Sequence, residues 1–209
     1  MIYTLGHSNM SLDELVQLVQ PRGISTIIDI RSHPTSKWEQ FRKENLEKSL
    51  PEHGIAYEWW QGLGGWSKRH LDLVEKFKPL GVDVEVYAKG KFPKQRIGVD
   101  KKDKNESGKP TWTNQGLYDY SWYMTLPEFL ESATKLIDRG LHEEHIAIMC
   151  AETLWWKCHR SMVADYLVFK GRPVWHLQPK VTSHSDAIGN RLERYLPNIR
   201  AVWANYPPR

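Results

Sequence analysis

The chain has 209 residues, with 29 Lys and Arg against 25 Asp and Glu, and only two cysteines. That length suits one α/β domain with a sizeable core, and no apolar run is long enough to span a bilayer. The opening Met1–Gly6 goes straight into a strand-like run with neither the basic nor the apolar region of a secretion signal, so a cytoplasmic protein with free thiols is expected.

The mild positive charge is unevenly spread. Between Lys91 and Pro110 there are seven basic residues against three acidic ones, which supplies the whole net charge of +4. A basic loop of this kind tracks a phosphate backbone, or simply keeps a polar insert solvated.

In chain order, Tyr3–Leu5 reads as a first strand. Ser11 and Glu14 form a capping box ahead of an amphipathic helix carrying Leu12, Leu15, Val16, Leu18 and Val19, which ends at Pro21 and Gly23. Thr26–Ile30 is a second strand, parallel to the first because a helix joins them. Asn45–Leu50 reads as a short helix and Ile55–Trp59 as a third strand. Gly62–Gly65 is a loop whose glycines suggest backbone conformations closed to other residues. Lys68–Phe77 has helical character and Val82–Val86 extended character. Residues 90–122 form a long polar insert, of the sort that is usually functional or disordered. A helix with Thr125 and Glu128 as its capping box reaches Arg139, and Gly140 reads as its stop. The apolar run Ile146–Cys150 is a strand, Thr153–Lys170 a helix stopped by Gly171, and Pro173–Leu177 a last strand. The alternation predicts a single three-layer α/β domain over residues 1–209 with a mainly parallel sheet.

Three strand ends deliver polar groups: His7 and Ser8 after the first, Asp29 and Arg31 after the second, Cys150 and Glu152 after the fourth run. In a parallel sheet these ends share one edge, where α/β proteins place their ligands. His159 and Arg160 lie about two helical turns beyond Glu152. Glu152 is the expected water-activating carboxylate, with Asp29 as its alternative and His7 and His159 as further catalytic candidates. Arg31, Arg160, Ser8, Trp156, Lys101 and Lys102 are expected to hold a substrate or anion. Cys150, at a helix N-terminus, is a candidate nucleophile. Each also has a plain structural role: a helix cap, an ion pair closing a turn, a dipole contact, a buried thiol. The eight-residue spacing of Cys150 and Cys158 fits no common zinc pattern, so neither a metal nor a cofactor is expected.

The segments Thr4-Leu-Gly-His-Ser-Asn9, Ile28-Asp-Ile-Arg-Ser32 with Pro34, Leu63-Gly-Gly65, Tyr123-Met124 and Cys150-Ala-Glu152 … Trp156 … Cys158-His-Arg160 resemble the DUF488 family of prokaryotic and phage proteins. The resemblance implies a shared α/β fold and polar site, and no particular reaction. Three functions stay open. One is an enzyme acting on nucleic acid or nucleotides, hydrolysing a base or N-glycosidic bond through a carboxylate-activated water. The second is a thiol-dependent, sulfur-transfer-like enzyme using Cys150. The third is a nucleic-acid-binding module without catalysis. No membrane partner is expected, and the oligomeric state is not legible.

Overall fold

The computed structural model describes residues 1–65, 115–142, 145–189, 191–195 and 197–206. The sequence-read helix 68–77, the extended piece 82–86, and the basic segment with Lys101 and Lys102 lie outside the described residues.

The domain is built on a six-stranded sheet: β1 (Ile2–Gly6), β2 (Thr26–Asp29), β3 (Ala56–Trp59), β4 (Ile146–Cys150), β5 (Val174–His176) and β6 (Thr182–Ser183), in the order β3-β2-β4-β1-β5-β6. All neighbours run parallel except the β5–β6 pair at the edge. The helices are α1 (Leu12–Val19), α2 (Lys43–Glu52), α3 (Gln115–Tyr123), α4 (Pro127–His142), α5 (Arg160–Phe169), α6 (His184–Ile188) and α7 (Pro197–Ala204).

Strand side chains alternate between two faces, and the sheet therefore divides the core in two. One face carries Leu5, Ile27, Ala147 and Met149 under Leu15 and Val19 of α1 and Leu46 and Leu50 of α2. The other carries Ile28, Ile146, Ile148 and Cys150 under Phe129 and Leu136 of α4, Met162 and Val163 of α5, and Trp203 of α7. This is the three-layer α/β domain expected from the sequence. Each fully buried Leu, Ile or Val contributes about 1.5–3 kcal/mol relative to its exposed state.

The layering creates a switch point. From β1 the chain leaves by α1, on one face, toward β2. From the adjacent β4 it leaves by α5, on the opposite face, toward β5. A crevice opens where neighbouring strands send their chains to opposite sides, outside their carboxyl ends.

Four elements differ from the sequence reading. The helix expected over Thr153–Lys170 begins at Arg160. The chain first makes a 3-10 turn at Trp155–Lys157 and an extended step at Cys158, with Trp155 drawn into the interior. Within the supposed polar insert, residues 115–123 form α3. Asp119, Tyr120, Ser121, Trp122 and Tyr123 are all buried, so no polar stripe marked the helix. Helix α4 runs through Gly140 to His142. A Cβ on Gly140 would come 2.8 Å from Ile2 Cδ1, so this glycine seats the helix on β1 and does not end it. Gly62 and Gly65 likewise serve close approach, not left-handed backbone. A Cβ at Gly62 would lie 2.1 Å from Ser132 Oγ, and one at Gly65 would lie 2.9 Å from His159 Nδ1. Among the described residues no helix is long and apolar enough to cross a membrane.

Candidate functional site

The site starts from the pairing of β1 with β4. Gly6 is in register with Cys150, and the ladder continues past both strands: the His7 amide donates to Cys150 O and the Ser8 amide to Ala151 O, each at 2.9 Å. A side chain at Gly6 is excluded, because its Cβ would fall 1.9 Å from Glu152 O. Ser8 is the one non-glycine among the described residues with positive φ, at 44°.

At the tip of β2, Asp29 is fully buried. Its carboxylate accepts from the Arg31 amide at 3.0 Å, from Arg31 Nε at 2.9 Å, from Arg31 NH2 at 2.5 Å and from the Tyr57 hydroxyl at 2.7 Å. Burial, then the adjoining Asp29 charge, pushes the Tyr57 phenol up, so it stays a donor. Burial pulls the Arg31 pKa down, but the Asp29 contact outweighs it and the net shift is upward. The remaining arm of Arg31 lies 3.2 Å from His7 Nε2 and 3.4 Å from Thr35 O. His7 Nδ1 lies 3.0 Å from Ser8 O. This pattern assigns the proton to Nδ1, which donates to the carbonyl, and leaves the Nε2 lone pair to accept from Arg31. Phe41 stacks on the ring with centroids 4.2 Å apart.

Burial first, and then the Arg31 charge, lower the His7 pKa to about 4. The unfolded chain takes up this proton near the ordinary value of 6.5, so between those two pH values the unfolded state holds more protons. The stability that neutral His7 contributes is complete above about pH 6.5 and is lost as pH falls toward about 4, at most about 1.4 kcal/mol per pH unit. Urea midpoints measured from pH 7 to 5 should fall for the native chain and fall less steeply for His7→Gln. Parallel curves would remove His7 as the cause.

A second cluster joins β4 to the start of α5. Cys150 and Cys158 are free thiols with sulfurs 2.9 Å apart. Cys158 Sγ also accepts from the Arg160 amide at 3.4 Å. The Arg160 side chain is fully buried, and it donates to Cys150 Sγ at 3.3 Å and to Thr153 O at 3.1 Å. No carboxylate among the described residues pairs with it. Cys158 is pulled below the ordinary thiol range, first by its hydrogen bond with Cys150 and further by Arg160, against the opposing effect of burial. Cys150 is pushed up by burial and by that same hydrogen bond. His159 Nε2 lies 2.9 Å from Ile30 O, which fixes the ring proton on Nε2. Nδ1, with its lone pair, then faces Cys158 Sγ at 3.4 Å. Burial lowers the His159 pKa, so the ring is neutral and able to accept a proton.

Two clefts flank the loop after β4. The larger, about 550 Å³, lies at the switch point between His7, Ser8 and Ala151 on one side and residues 35–38 on the other. The smaller, about 270 Å³, is lined by Gly65, Glu152, Lys157, Cys158 and His159. The sequence-named residues therefore fall into groups. His7, Asp29 and Arg31 form one network, with His7 and Ser8 on the larger cleft. Cys150, His159 and Arg160 form the thiol cluster. Glu152 is exposed on the rim of the smaller cleft, where its carboxylate accepts from the Leu154 amide at 3.1 Å. Trp156 stands 42 % exposed, edge-on to Trp155, and lines neither cleft.

A third network was not legible in the sequence. Thr4 Oγ1 lies 2.7 Å from His176 Nδ1, His176 Nε2 lies 2.7 Å from His184 Nδ1, and His184 Nε2 lies 2.8 Å from Asp165 Oδ1. The Tyr195 hydroxyl and Arg194 donate to the other Asp165 oxygen at 2.6 and 3.3 Å. Trp155 stacks flat on His176, centroids 4.0 Å apart and planes 3° off parallel. This stack is what draws the chain into the 3-10 turn before α5. Residue-type spacing gave no hint, because the partners come from β1, β5, α5, α6 and the turn after it. Among the described residues no group of three or more His, Cys, Asp or Glu is arranged to hold a metal ion.

The family model described as a domain of unknown function, DUF488, matches residues 11–89 and 92–167. The chain belongs to the DUF488 family. No curated protein and no solved structure matches it. The DUF488 match ends at residue 167, inside α5, so the Cys150–Arg160 cluster lies within it, while His176, His184 and Tyr195 lie beyond it.

Proposed function

We propose that this DUF488 protein is a thiol-dependent enzyme in which Cys158 is the nucleophile, His159 its proton acceptor and Cys150 the resolving thiol. The observation that carries this reading is the Cys158 sulfur itself. It lies in hydrogen-bond contact with the Cys150 sulfur, accepts from the Arg160 amide, faces a histidine lone pair, and lines a cleft. A thiolate is the reactive form: the Cys150 contact and Arg160 favour it, and the His159 lone pair can take up its proton. The nucleophile suggested by position in the sequence was Cys150. Cys158 is the better candidate because Cys150 lines neither cleft and its thiol is pushed upward.

The chemistry that follows is exchange with a small disulfide. Cys158 passes its proton to His159, and its thiolate attacks one sulfur of the substrate. An S–S bond forms, and the other sulfur leaves with the bonding electrons and takes up a proton. Cys150 then loses its proton and attacks Cys158 Sγ, and the substrate's second half departs as a thiol. Two protein thiols are oxidised to one disulfide and the substrate disulfide is reduced to two thiols. The sulfurs close from contact to the bonded distance of about 2.05 Å. Arg160 offsets the negative charge that moves between them.

Hydrolysis by a carboxylate-activated water draws less support. Asp29 has both oxygens engaged by Arg31 and Tyr57, and Glu152 is exposed with no histidine or cation bonded to it among the described residues.

The test is alkylation by iodoacetamide against pH, read site by site by mass spectrometry on the folded chain. Cys158 should react first, with an apparent pKa below that of an ordinary thiol, and Cys150→Ala, which removes the hydrogen bond, should raise that pKa. A small disulfide should convert the native chain to an internal Cys150–Cys158 disulfide with loss of two hydrogens. Slow, equal labelling of both cysteines would overturn the proposal, as would preferential labelling of Cys150.

A further inference from the structure

We infer that the larger cleft at the switch point binds a mononucleotide-type ligand, with a planar base against Trp38 and a phosphate at Lys37. This goes beyond the thiol reading, concerns a different cavity and does not depend on it.

Four independent features converge there. The first is position: the cleft lies at the carboxyl ends of β1 and β4, where the following connections diverge to opposite faces. Its volume of about 550 Å³ falls within the range of small-molecule sites.

The second is charge. Among the described residues that line the cleft, Lys37 is the one with a formal charge, since His7 is neutral near pH 7, and none is a carboxylate. Asp29, the nearest acid in the network behind His7, has its charge matched by Arg31. Among the described residues, an anion entering the cleft therefore meets the Lys37 ammonium and no opposing carboxylate.

The third is the chemistry of residues 35–38. The Trp38 indole is 38 % exposed, with the Lys37 ammonium 5.0 Å from its ring centroid. An exposed indole with a cation over one face can offer its other face to a base and the positive charge to a phosphate. Ser36 Oγ accepts from the Trp38 amide at 3.1 Å, which leaves its hydroxyl proton free to donate to a phosphate oxygen.

The fourth is backbone strain. Ser8, at φ 44°, is held in the left-handed region from two sides: its amide donates to Ala151 O and its carbonyl accepts from His7 Nδ1. Non-glycine residues fixed this way are costly and concentrate at ligand clamps. Here the strained residue forms a wall of the cleft, and His7, only 2 % exposed, is locked behind it by Arg31 and Phe41. Arg31 also reaches Thr35 O, so one buried guanidinium holds both walls at a set separation. The cleft is thus preorganised before any ligand arrives.

The experiment is calorimetric titration of the full chain with adenosine monophosphate, adenosine and inorganic phosphate. Adenosine monophosphate should bind at one saturable site, with adenosine and phosphate each about tenfold weaker or less. Lys37→Gln and Trp38→Ala should each weaken adenosine monophosphate about tenfold, the scale of one stacking or phosphate contact, while Trp38→Phe keeps most of the affinity. Both positions are exposed, and a circular dichroism spectrum matching the native one shows that each variant folds. Cys158→Ser should bind as the native chain does. The inference is overturned if adenosine monophosphate does not bind, if neither Lys37→Gln nor Trp38→Ala weakens it, or if phosphate alone binds as tightly. Any of these with Cys158 alkylation intact leaves the thiol proposal standing, so the two fail separately.

Discussion

Replacing Asp165 by alanine is expected to lower the free energy of unfolding by about 3–5 kcal/mol. The carboxylate is fully buried and is the common acceptor for His184, Tyr195 and Arg194, the last of these a cation only 16 % exposed. Deleting it leaves three donors facing one another around a small void. His184 loses the acceptor that fixes its tautomer, and the loss passes to His176 and the Trp155 stack on it. Asp165→Asn should fall between the two, since the amide keeps one acceptor oxygen but turns an NH2 toward a donor. The check is urea denaturation: the midpoint should drop with little change of slope. A loss under about 1 kcal/mol would mean that the network is ornamental to stability.

A loss of similar size, about 3–5 kcal/mol, is expected for Asp29→Ala, for a different reason. Here one cation, Arg31, is left 6 % exposed with no counter-charge. The double variant Asp29→Ala, Arg31→Leu should therefore be more stable than Asp29→Ala alone, because the orphaned charge goes with its partner. Strict additivity of the two single losses would refute the coupling. Since Asp29 is also a cause of the raised Tyr57 pKa, the phenol should titrate at lower pH in the single variant if it stays folded. A phenol that titrates as in the native chain would rule Asp29 out as the cause.

The contrast between these two acids shows what the sequence reveals and what it hides. Asp29 and Arg31 alternate across Ile30 at a strand end, so their pairing is visible in three residues. The meeting of His7 with them follows from parallel order and register alone. The thiol cluster was only partly legible. The reactive residues of the Cys150–Arg160 segment are clustered in sequence, but a helix beginning near Thr153 carries Cys158 away from Cys150, whereas the actual 3-10 turn and extended step bring it back to 2.9 Å. The cause of that turn, the stack of Trp155 on His176, joins residues 21 apart through a contact that no local pattern encodes. Helix α5 was hard to delimit because Arg160 to Leu167 are buried all round, which erases the polar stripe that marks a surface helix. Asp165 belongs to this same helix and gave no signal at all, since its partners arrive from the chain's last third.

The place of β1 in the sheet has a consequence for how the molecule is made. This strand ends up between β4 and β5, with Ile2 paired to both Ile146 and Val174. It has no sheet neighbour until most of the chain has been synthesised. During that interval the apolar Ile2–Leu5 stretch must wait unpaired. Such distant pairings close large loops and slow folding, and they leave a nascent strand open to wrong partners. Refolding from denaturant should accordingly be slow for a domain of this size, with β1 among the last strands to gain its neighbours.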